Sequence, residues 1–117
     1  MDVTEKPLRP SHLTLGVNNL AVSERFYRDA LGFSLRREDG NLRIELPDFA
    51  IVLTESPPSR LSKFHFGFRV DTAAEVDAWA ARAKAFGART EWPHDRDGGR
   101  TVFINDPDDY VIEIYFK

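Results

Sequence analysis

Two histidines and one glutamate, His12, His65 and Glu113, are the residues of this 117-residue chain best suited to carry out chemistry. Two neutral imidazoles and one carboxylate form a donor set that suits Fe(II), Mn(II), Zn(II), Ni(II) or Co(II). Three such ligands leave two or three coordination positions open for water or a chelating substrate. We therefore expect one divalent metal ion, acting as a Lewis acid on a small oxygen-chelating substrate.

Each of the three residues lies in a predicted strand. His12 begins a strand over residues 12–17, His65 lies in one over residues 64–70, and Glu113 lies in the last, residues 110–116. Because alternate residues of a strand share a face, the phenylalanines of the second strand face one layer and His65 the other. By the same rule Glu113 opposes the apolar residues beside it and points to the concave side of its sheet, and Thr14 shares the face of His12.

A carboxylate on the inner side of a curved sheet is costly unless it binds a metal or a cation. We expect the metal to satisfy Glu113, or else an arginine such as Arg69 or Arg100. Each histidine, taken alone, has a structural alternative, in which it forms hydrogen bonds within its sheet and binds no metal. A glutamate of a final strand, taken alone, often faces solvent.

The two halves of the sequence repeat one pattern, which indicates an internal duplication of a roughly 50-residue βαβββ unit. The equivalent residues are His12 and His65, Val17 and Val70, Phe26 and Trp79, and residues 47–52 with 108–113. The last of these alignments places Val52 where the second half has Glu113. The expected metal site is therefore asymmetric.

The repeat predicts an α+β domain of two βαβββ modules, about residues 11–55 and 64–117, whose mixed sheets curl around a central cleft. Helices are expected over residues 20–31 and 72–86, the second of them capped by Asp71 or Thr72. The remaining strands are expected at residues 34–38, 42–46, 50–54, 89–91 and 100–104.

Composition excludes several classes of function. The chain has no cysteine, which removes disulfides and thiolate ligands, and its net charge of −3 argues against nucleic acid or an anionic membrane as partner. No apolar run approaches the roughly 20 residues of a membrane span, and we expect a cytoplasmic protein. Residues 1–9 are expected to form a disordered arm, residues 10–117 one domain, and residues 55–63 a linker.

The third histidine, His94, falls in a predicted polar loop, residues 92–99. We interpret His94 as a solvated loop residue, with a substrate-side acid or base as the alternative. The charged run at residues 96–100, which ends at Arg100, is interpreted as solvated, although a loop that closes over a site uses such residues too.

Three segments of the sequence resemble the vicinal-oxygen-chelate superfamily, which includes glyoxalase I, bleomycin-resistance proteins, fosfomycin-resistance transferases, methylmalonyl-CoA epimerase and extradiol dioxygenases. The segments are residues 12–33 (HLTLGVNNLAVSERFYRDALGF), 65–70 (HFGFRV) and 103–116 (FINDPDDYVIEIYF). The resemblance implies βαβββ modules whose sheets curl around a metal held by the leading and final strands. His12, His65 and Glu113 match the ligand positions, and Val52 occupies a fourth that it cannot fill.

Three ligands resemble the fosfomycin-resistance and extradiol branches more than glyoxalase I, which uses four. The resemblance makes Thr14 and Glu113 candidate catalytic residues, because a threonine two residues after the first histidine also occurs in the fosfomycin-resistance branch. Pro93 and Phe103 stand where that branch has lysine and tyrosine, which argues against fosfomycin modification. The expected activity is that of a metal-dependent dioxygenase, lyase or isomerase.

The resemblance implies a homodimer, since members of this superfamily with one such chain commonly pair, and the site can be composite. His12 would then come from one chain and His65 with Glu113 from the other, and the sequence does not choose between swapped and unswapped pairing. Two alternative functions remain: a metal-free protein that sequesters a small molecule, of the bleomycin-resistance type, and a degenerate member that serves in assembly or regulation.

Overall fold

The computed structural model describes residues 2, 4, 8–58 and 64–117. The expected arm at residues 1–9 and the expected linker at residues 55–63 each lie partly outside the described residues. In chain order the elements are β1 (His12–Val17), α1 (Leu20–Arg25), a π-helical turn (Phe26–Ala30), β2 (Leu35–Glu38), β3 (Asn41–Leu46), β4 (Phe49–Glu55), β5 (His65–Arg69), α2 (Ala73–Phe86), β6 (His94–Arg96), β7 (Gly99–Asn105) and β8 (Val111–Phe116).

The strands form two four-stranded mixed sheets with the same internal order, β1-β4-β3-β2 and β5-β8-β7-β6. In each sheet the leading strand runs parallel to the final strand of its module, and the other pairs are antiparallel. Thr14 lies opposite Val52 in the first sheet, and Gly67 lies opposite Glu113 in the second. This register confirms the duplication and the equivalence of Val52 with Glu113.

One hydrophobic core joins the two modules. It is built from residues of both helices and from alternate residues of the strands, such as Leu15, Ile51, Val76, Ile112 and Ile114. The opposite face of each sheet carries the residues between these, and we call it the open face. The open face of the first sheet carries His12, Thr14 and Val52, and that of the second carries His65, Glu113 and Tyr115. The predicted orientations of the candidate ligands relative to the core are therefore confirmed.

Local signals explain where the helices begin and end. The side chain of Asn19 accepts a hydrogen bond from the amide of Val22 and caps α1. Thr72 caps α2 in a capping box with Glu75, and Gly87, at a φ of 101°, ends it.

The first predicted helix, residues 20–31, differs from the expectation of a uniform α-helix. It is α-helical to Arg25 and continues as a π-helical turn, Phe26–Ala30. Two adjacent aromatic side chains, Phe26 and Tyr27, are both buried in the core at this turn. The wider π turn is the local change that accompanies their joint burial.

A turn of the second module is anchored to the first module. The hydroxyl of Tyr27 donates a hydrogen bond of 2.7 Å to the Oδ2 atom of Asp106, which is 4% exposed. The hydroxyl of Tyr110 donates one of 2.7 Å to the carbonyl oxygen of Gly16. Asp109 adopts the left-handed conformation in this turn, at a φ of 66°, which aspartate tolerates better than most residues.

The prediction of a polar loop over residues 92–99 is wrong. His94–Arg96 forms β6, which pairs with β7 through a two-residue turn at Asp97 and Gly98 with φ values of 48° and 79°. An Asp-Gly pair favours such a hairpin because both residues tolerate positive φ. The strand expected at residues 89–91 is reduced to one bridge, between Thr90 and Ile104. Among the described residues, no helix has the length and apolar character needed to cross a membrane.

Candidate metal site

The carboxylate of Glu113 is the centre of the candidate site. Its side chain, on β8, is 18% exposed. The Oε2 atom accepts a hydrogen bond of 2.7 Å from the hydroxyl of Thr101, and the Oε1 atom lies 3.5 Å from the Nε2 atom of His65. One carboxylate oxygen is thus held by a hydroxyl while the other faces an imidazole nitrogen.

His65 stands at the rim of this site, with 45% of its side chain exposed. Its ring contacts the ring of Phe103 edge to face, with centroids 5.9 Å apart and an interplanar angle of 83°. Phe103 lies directly opposite Glu113 on the neighbouring strand β7. The contact with Phe103 therefore limits the rotation of the His65 ring on the side that faces Glu113.

Arg69 and Arg100, the two arginines named as alternatives to a metal, bind other groups and form no ion pair with Glu113 in the described part of the chain. Arg100 donates to Asp77 on α2 at 2.9 Å and to Asp95 at 3.0 Å. Arg69 donates to the carbonyl oxygen of Lys117. The register explains the partners of Arg100. It lies opposite Asp95, and its side chain turns toward the helix layer, where it reaches Asp77.

His94 is exposed, as expected, but it lies in β6 rather than in a loop and shares the open face with Glu113. It lies opposite Thr101 on β7, which in turn lies opposite Tyr115 on β8. Residues directly opposite in a sheet point to the same side. The Asp-Gly turn signal between two short polar strands would have revealed this placement from the sequence.

A cavity of about 220 Å³ opens over the second sheet. This volume falls below the roughly 300–1,000 Å³ of most small-molecule sites. The cavity is lined by His65, Arg96, Asp97, Arg100, Thr101, Glu113, Tyr115 and Lys117.

His12 lies on the open face of the first sheet, with its Nδ1 atom 3.2 Å from the hydroxyl of Ser11. Thr14, two residues further on, is exposed on the same face. A wider groove of about 910 Å³ borders Ser11 and Arg43 beside it. Within one chain, the described residues form no group of three His, Cys, Asp or Glu side chains placed to hold a metal ion. The fold thus brings His65 and Glu113 together but not His12.

Comparison with known proteins gives a family match over nearly the whole chain. The model of the Glyoxalase/Bleomycin resistance protein/Dioxygenase superfamily matches residues 9–114. The protein YaeR of Escherichia coli (strain K12) is 30% identical, with 89% of this chain and 92% of YaeR covered.

Solved structures share the fold. The fosfomycin resistance protein FosX from Listeria monocytogenes superposes with a TM-score of 0.83 at 21% identity, covering 95% of this chain and 94% of FosX. Lactoylglutathione lyase from Agrobacterium tumefaciens superposes with a TM-score of 0.78 at 23% identity, covering 95% of each chain. With two sheets of the same strand order, a histidine on each leading strand and a match that spans both modules, the chain belongs to the Glyoxalase/Bleomycin resistance protein/Dioxygenase superfamily.

Proposed function

We propose that this chain is a metal-dependent enzyme that works as a homodimer with composite sites. His65 and Glu113 of one copy and His12 of a second copy would hold one divalent ion, and a small substrate would chelate it through two oxygens. The observation that carries the proposal is the pairing of His65 with Glu113 at 3.5 Å on an open sheet face, without a third such ligand among the described residues of the same chain.

The arrangement of the sheets supports the second copy. Each sheet packs one face on the shared core, and the candidate ligands lie on the other face, outside the core cluster. The leading strands β1 and β5 lie at sheet edges, each pairing on one side only within the described chain. An edge strand presents unpaired backbone groups that a second copy can use, and closed twofold pairs are the commonest assembly. The cavity over Glu113, at about 220 Å³, is smaller than most small-molecule sites, and a second copy over the open face would enlarge it.

The donor set fits a divalent ion of the Fe, Mn, Zn, Ni or Co class, since it offers imidazole nitrogen and carboxylate oxygen on a polar, partly exposed face. Such an ion would supply Lewis-acid polarisation of the substrate's oxygens. The chain's own residues prepare the site. Phe103 restricts the ring of His65, and Thr101 holds one oxygen of Glu113.

Two further residues of the open faces would meet the substrate. The hydroxyl of Thr14 shares the exposed face of His12 and would donate a hydrogen bond to a substrate oxygen. His94 lies on the same open face as Glu113, two strands away, and would transfer a proton at the outer end of the substrate. A dioxygenase, lyase or isomerase reaction is compatible with these roles. Two of the structural relatives, a lactoylglutathione lyase and a fosfomycin resistance protein, span a comparable range.

The second candidate is a metal-free protein that binds an apolar small molecule. It is favoured by an apolar hollow of about 130 Å³ between the modules, lined by Leu31, Phe33, Phe68, Val70, Trp79 and Ile114. Ligand binding in this hollow would be insensitive to a chelator, whereas binding at the metal site would be abolished by one. Titration with and without EDTA therefore separates the two functions.

Mixed dimers test the composite site directly. Protein freed of metal and titrated with Co²⁺ or Mn²⁺ should bind one ion per chain, and His12→Ala and Glu113→Ala should each lose that ion. Co-expression of the two variants under different tags should restore one ion per mixed dimer, because one of its two sites then holds all three ligands. His94→Ala is the matched histidine control and should bind as the unaltered chain does.

The proposal fails if the unaltered chain binds no stoichiometric ion. The composite arrangement alone fails if the mixed dimer binds no more metal than either variant by itself.

A further inference from the structure

Thr101 is one of three polar residues buried among the described part of the chain, and the only one of the three beside the candidate ligands. It is 2% exposed and lies on β7, two residues before Phe103. A buried hydroxyl needs a hydrogen-bond acceptor, and the acceptor of the Thr101 hydroxyl indicates what Thr101 does in the site.

The hydroxyl of Thr101 has two acceptors within reach, and their distances differ. The Oε2 atom of Glu113 lies at 2.7 Å, the distance of a hydrogen bond to a charged oxygen, and the carbonyl oxygen of Ile114 lies at 3.5 Å. A hydroxyl carries a single proton, so the nearer oxygen receives it. The Oε2 atom is thereby engaged, and the Oε1 atom is the one that faces His65.

The first module provides an internal comparison. Arg43 lies opposite Val52 as Phe103 lies opposite Glu113, so the equivalent of Thr101, two residues earlier, is Asn41. Asn41 is partly exposed, and the module has no carboxylate at Val52 for it to hold. The buried hydroxyl accompanies the carboxylate and is missing where the carboxylate is missing.

From these contacts we infer that Thr101 is a positioning residue that makes Glu113 a one-oxygen ligand. This inference rests on the proposed metal site and deepens it. A carboxylate bound through both oxygens fills two coordination positions, whereas one with its Oε2 atom held by a hydroxyl fills a single position. Thr101 thereby leaves one more position open for the chelating substrate. Thr101 acts on the metal site through its hydrogen bond to Glu113.

Three variants test this role by metal binding, with no need for a known substrate. Thr101→Val keeps the shape of the side chain and removes the hydroxyl, and it should weaken Co²⁺ binding about 10–100-fold, as loss of an outer hydrogen bond typically does. Its Co²⁺ absorption spectrum should also change in position and intensity, because the coordination number of the ion changes. Thr101→Ser should restore both the affinity and the spectrum.

Thr90→Val is the matched control, since Thr90 donates its hydroxyl to the carbonyl oxygen of Ala88 at 3.0 Å, away from the site. It should bind Co²⁺ with unaltered affinity and spectrum. If Thr101→Val does not fold, judged by circular dichroism of the metal-free protein, Thr101→Ala replaces it in the same titration.

Two outcomes overturn the inference, and they are distinct. If the unaltered chain binds one Co²⁺ and the hydroxyl-free variant binds it with the same affinity and spectrum, Thr101 has no positioning role while the metal site stands. If the unaltered chain binds no Co²⁺, the proposed function and the inference fall together.

Discussion

Gly67 lies directly opposite Glu113 in the parallel pair of β5 and β8, and no side chain separates the two strands at this point on the open face. A Cβ atom on Gly67 would stand 3.1 Å from the carbonyl oxygen of Glu113 and 3.3 Å from its Cβ atom. Contacts this short require the neighbour to move by a few tenths of an ångström. The glycine therefore allows the close approach of β5 to the backbone and Cβ atom of Glu113.

Gly67→Ala should displace Glu113 and lower the affinity for Mn²⁺ or Co²⁺ on the order of 10-fold, because ligand geometry sets the strength of such sites. The fold should remain, since the new methyl group points to the open face and away from the core. Calorimetric titration with the metal measures the effect. Thr14→Ala, at the equivalent position of the first module, is the control and should bind metal normally. Unaltered affinity in Gly67→Ala would show that the strand pair absorbs the methyl group.

The stability of the protein should depend on the ionisation of Asp106. Burial raises the pKa of Asp106 from 3.8 to about 6, although hydrogen bonds from Tyr27 and from the backbone amides of Tyr110 and Asp108 oppose the rise. Since the folded-state pKa lies above the unfolded one, the stabilising contribution is complete below about pH 4 and is lost as the pH rises through 6. The loss amounts to at most about 3 kcal/mol.

Asp106→Asn isolates this contribution, because an amide of the same shape does not titrate in this range. The unfolding free energy of the unaltered protein minus that of the variant should fall between pH 4 and pH 7. Urea denaturation at several pH values provides the measurement. A difference that stays constant across this range would contradict the assignment to Asp106.

Tyr27→Phe should destabilise the protein by about 1–3 kcal/mol, because the buried carboxylate of Asp106 loses the donor of its 2.7 Å hydrogen bond. That bond favours the ionised carboxylate, so the loss should be larger at pH 7 than at pH 5. Thermal or urea unfolding at both pH values measures it. Tyr115→Phe, the same substitution on the open face, should change stability far less. An equal loss in both variants would argue against a special role for the Tyr27 bond.

Ser23→Ala should leave the protein as stable as before or stabilise it by up to about 1 kcal/mol. The hydroxyl of Ser23 is fully buried in α1 and has no hydrogen-bond partner among the described residues. Removing such a group removes its desolvation penalty, and alanine is the better helix former. Chemical denaturation decides the sign, with Ser34→Ala as the exposed control. A marked loss of stability would mean that the hydroxyl has a partner in solution.

The duplication and the facing of the candidate ligands were predictable from the sequence. Alternate residues of a strand point to opposite faces, so His65 and the phenylalanines beside it lie on different faces whichever strands pair with theirs. Two halves with the same sequence pattern are also expected to form sheets with the same strand order. Left-handed positions at Gly87 and Asp109 followed from residue type. These features depend on neighbours within a few residues.

Features that depend on pairing across the chain were not predictable. The contact of Thr101 with Glu113 follows from the offset between β7 and β8, which no local pattern determines. The placement of His94 follows from a hairpin hidden in a polar segment. The separation of His12 from His65 follows from the way the two modules share a core, and the sequence left the pairing of modules open.

The turn that buries Asp106 against Tyr27 also affects how cooperatively the two modules unfold. Because a loop of one module completes the core of the other, neither half retains a finished interior if its twin is lost. Folding should therefore proceed as one cooperative transition despite the two sheets. A fragment that ends near residue 58 would present Phe26 and Tyr27 to water. The two repeated modules should therefore behave as a single thermodynamic unit, joined through the shared core on the side of the sheets opposite the candidate metal site.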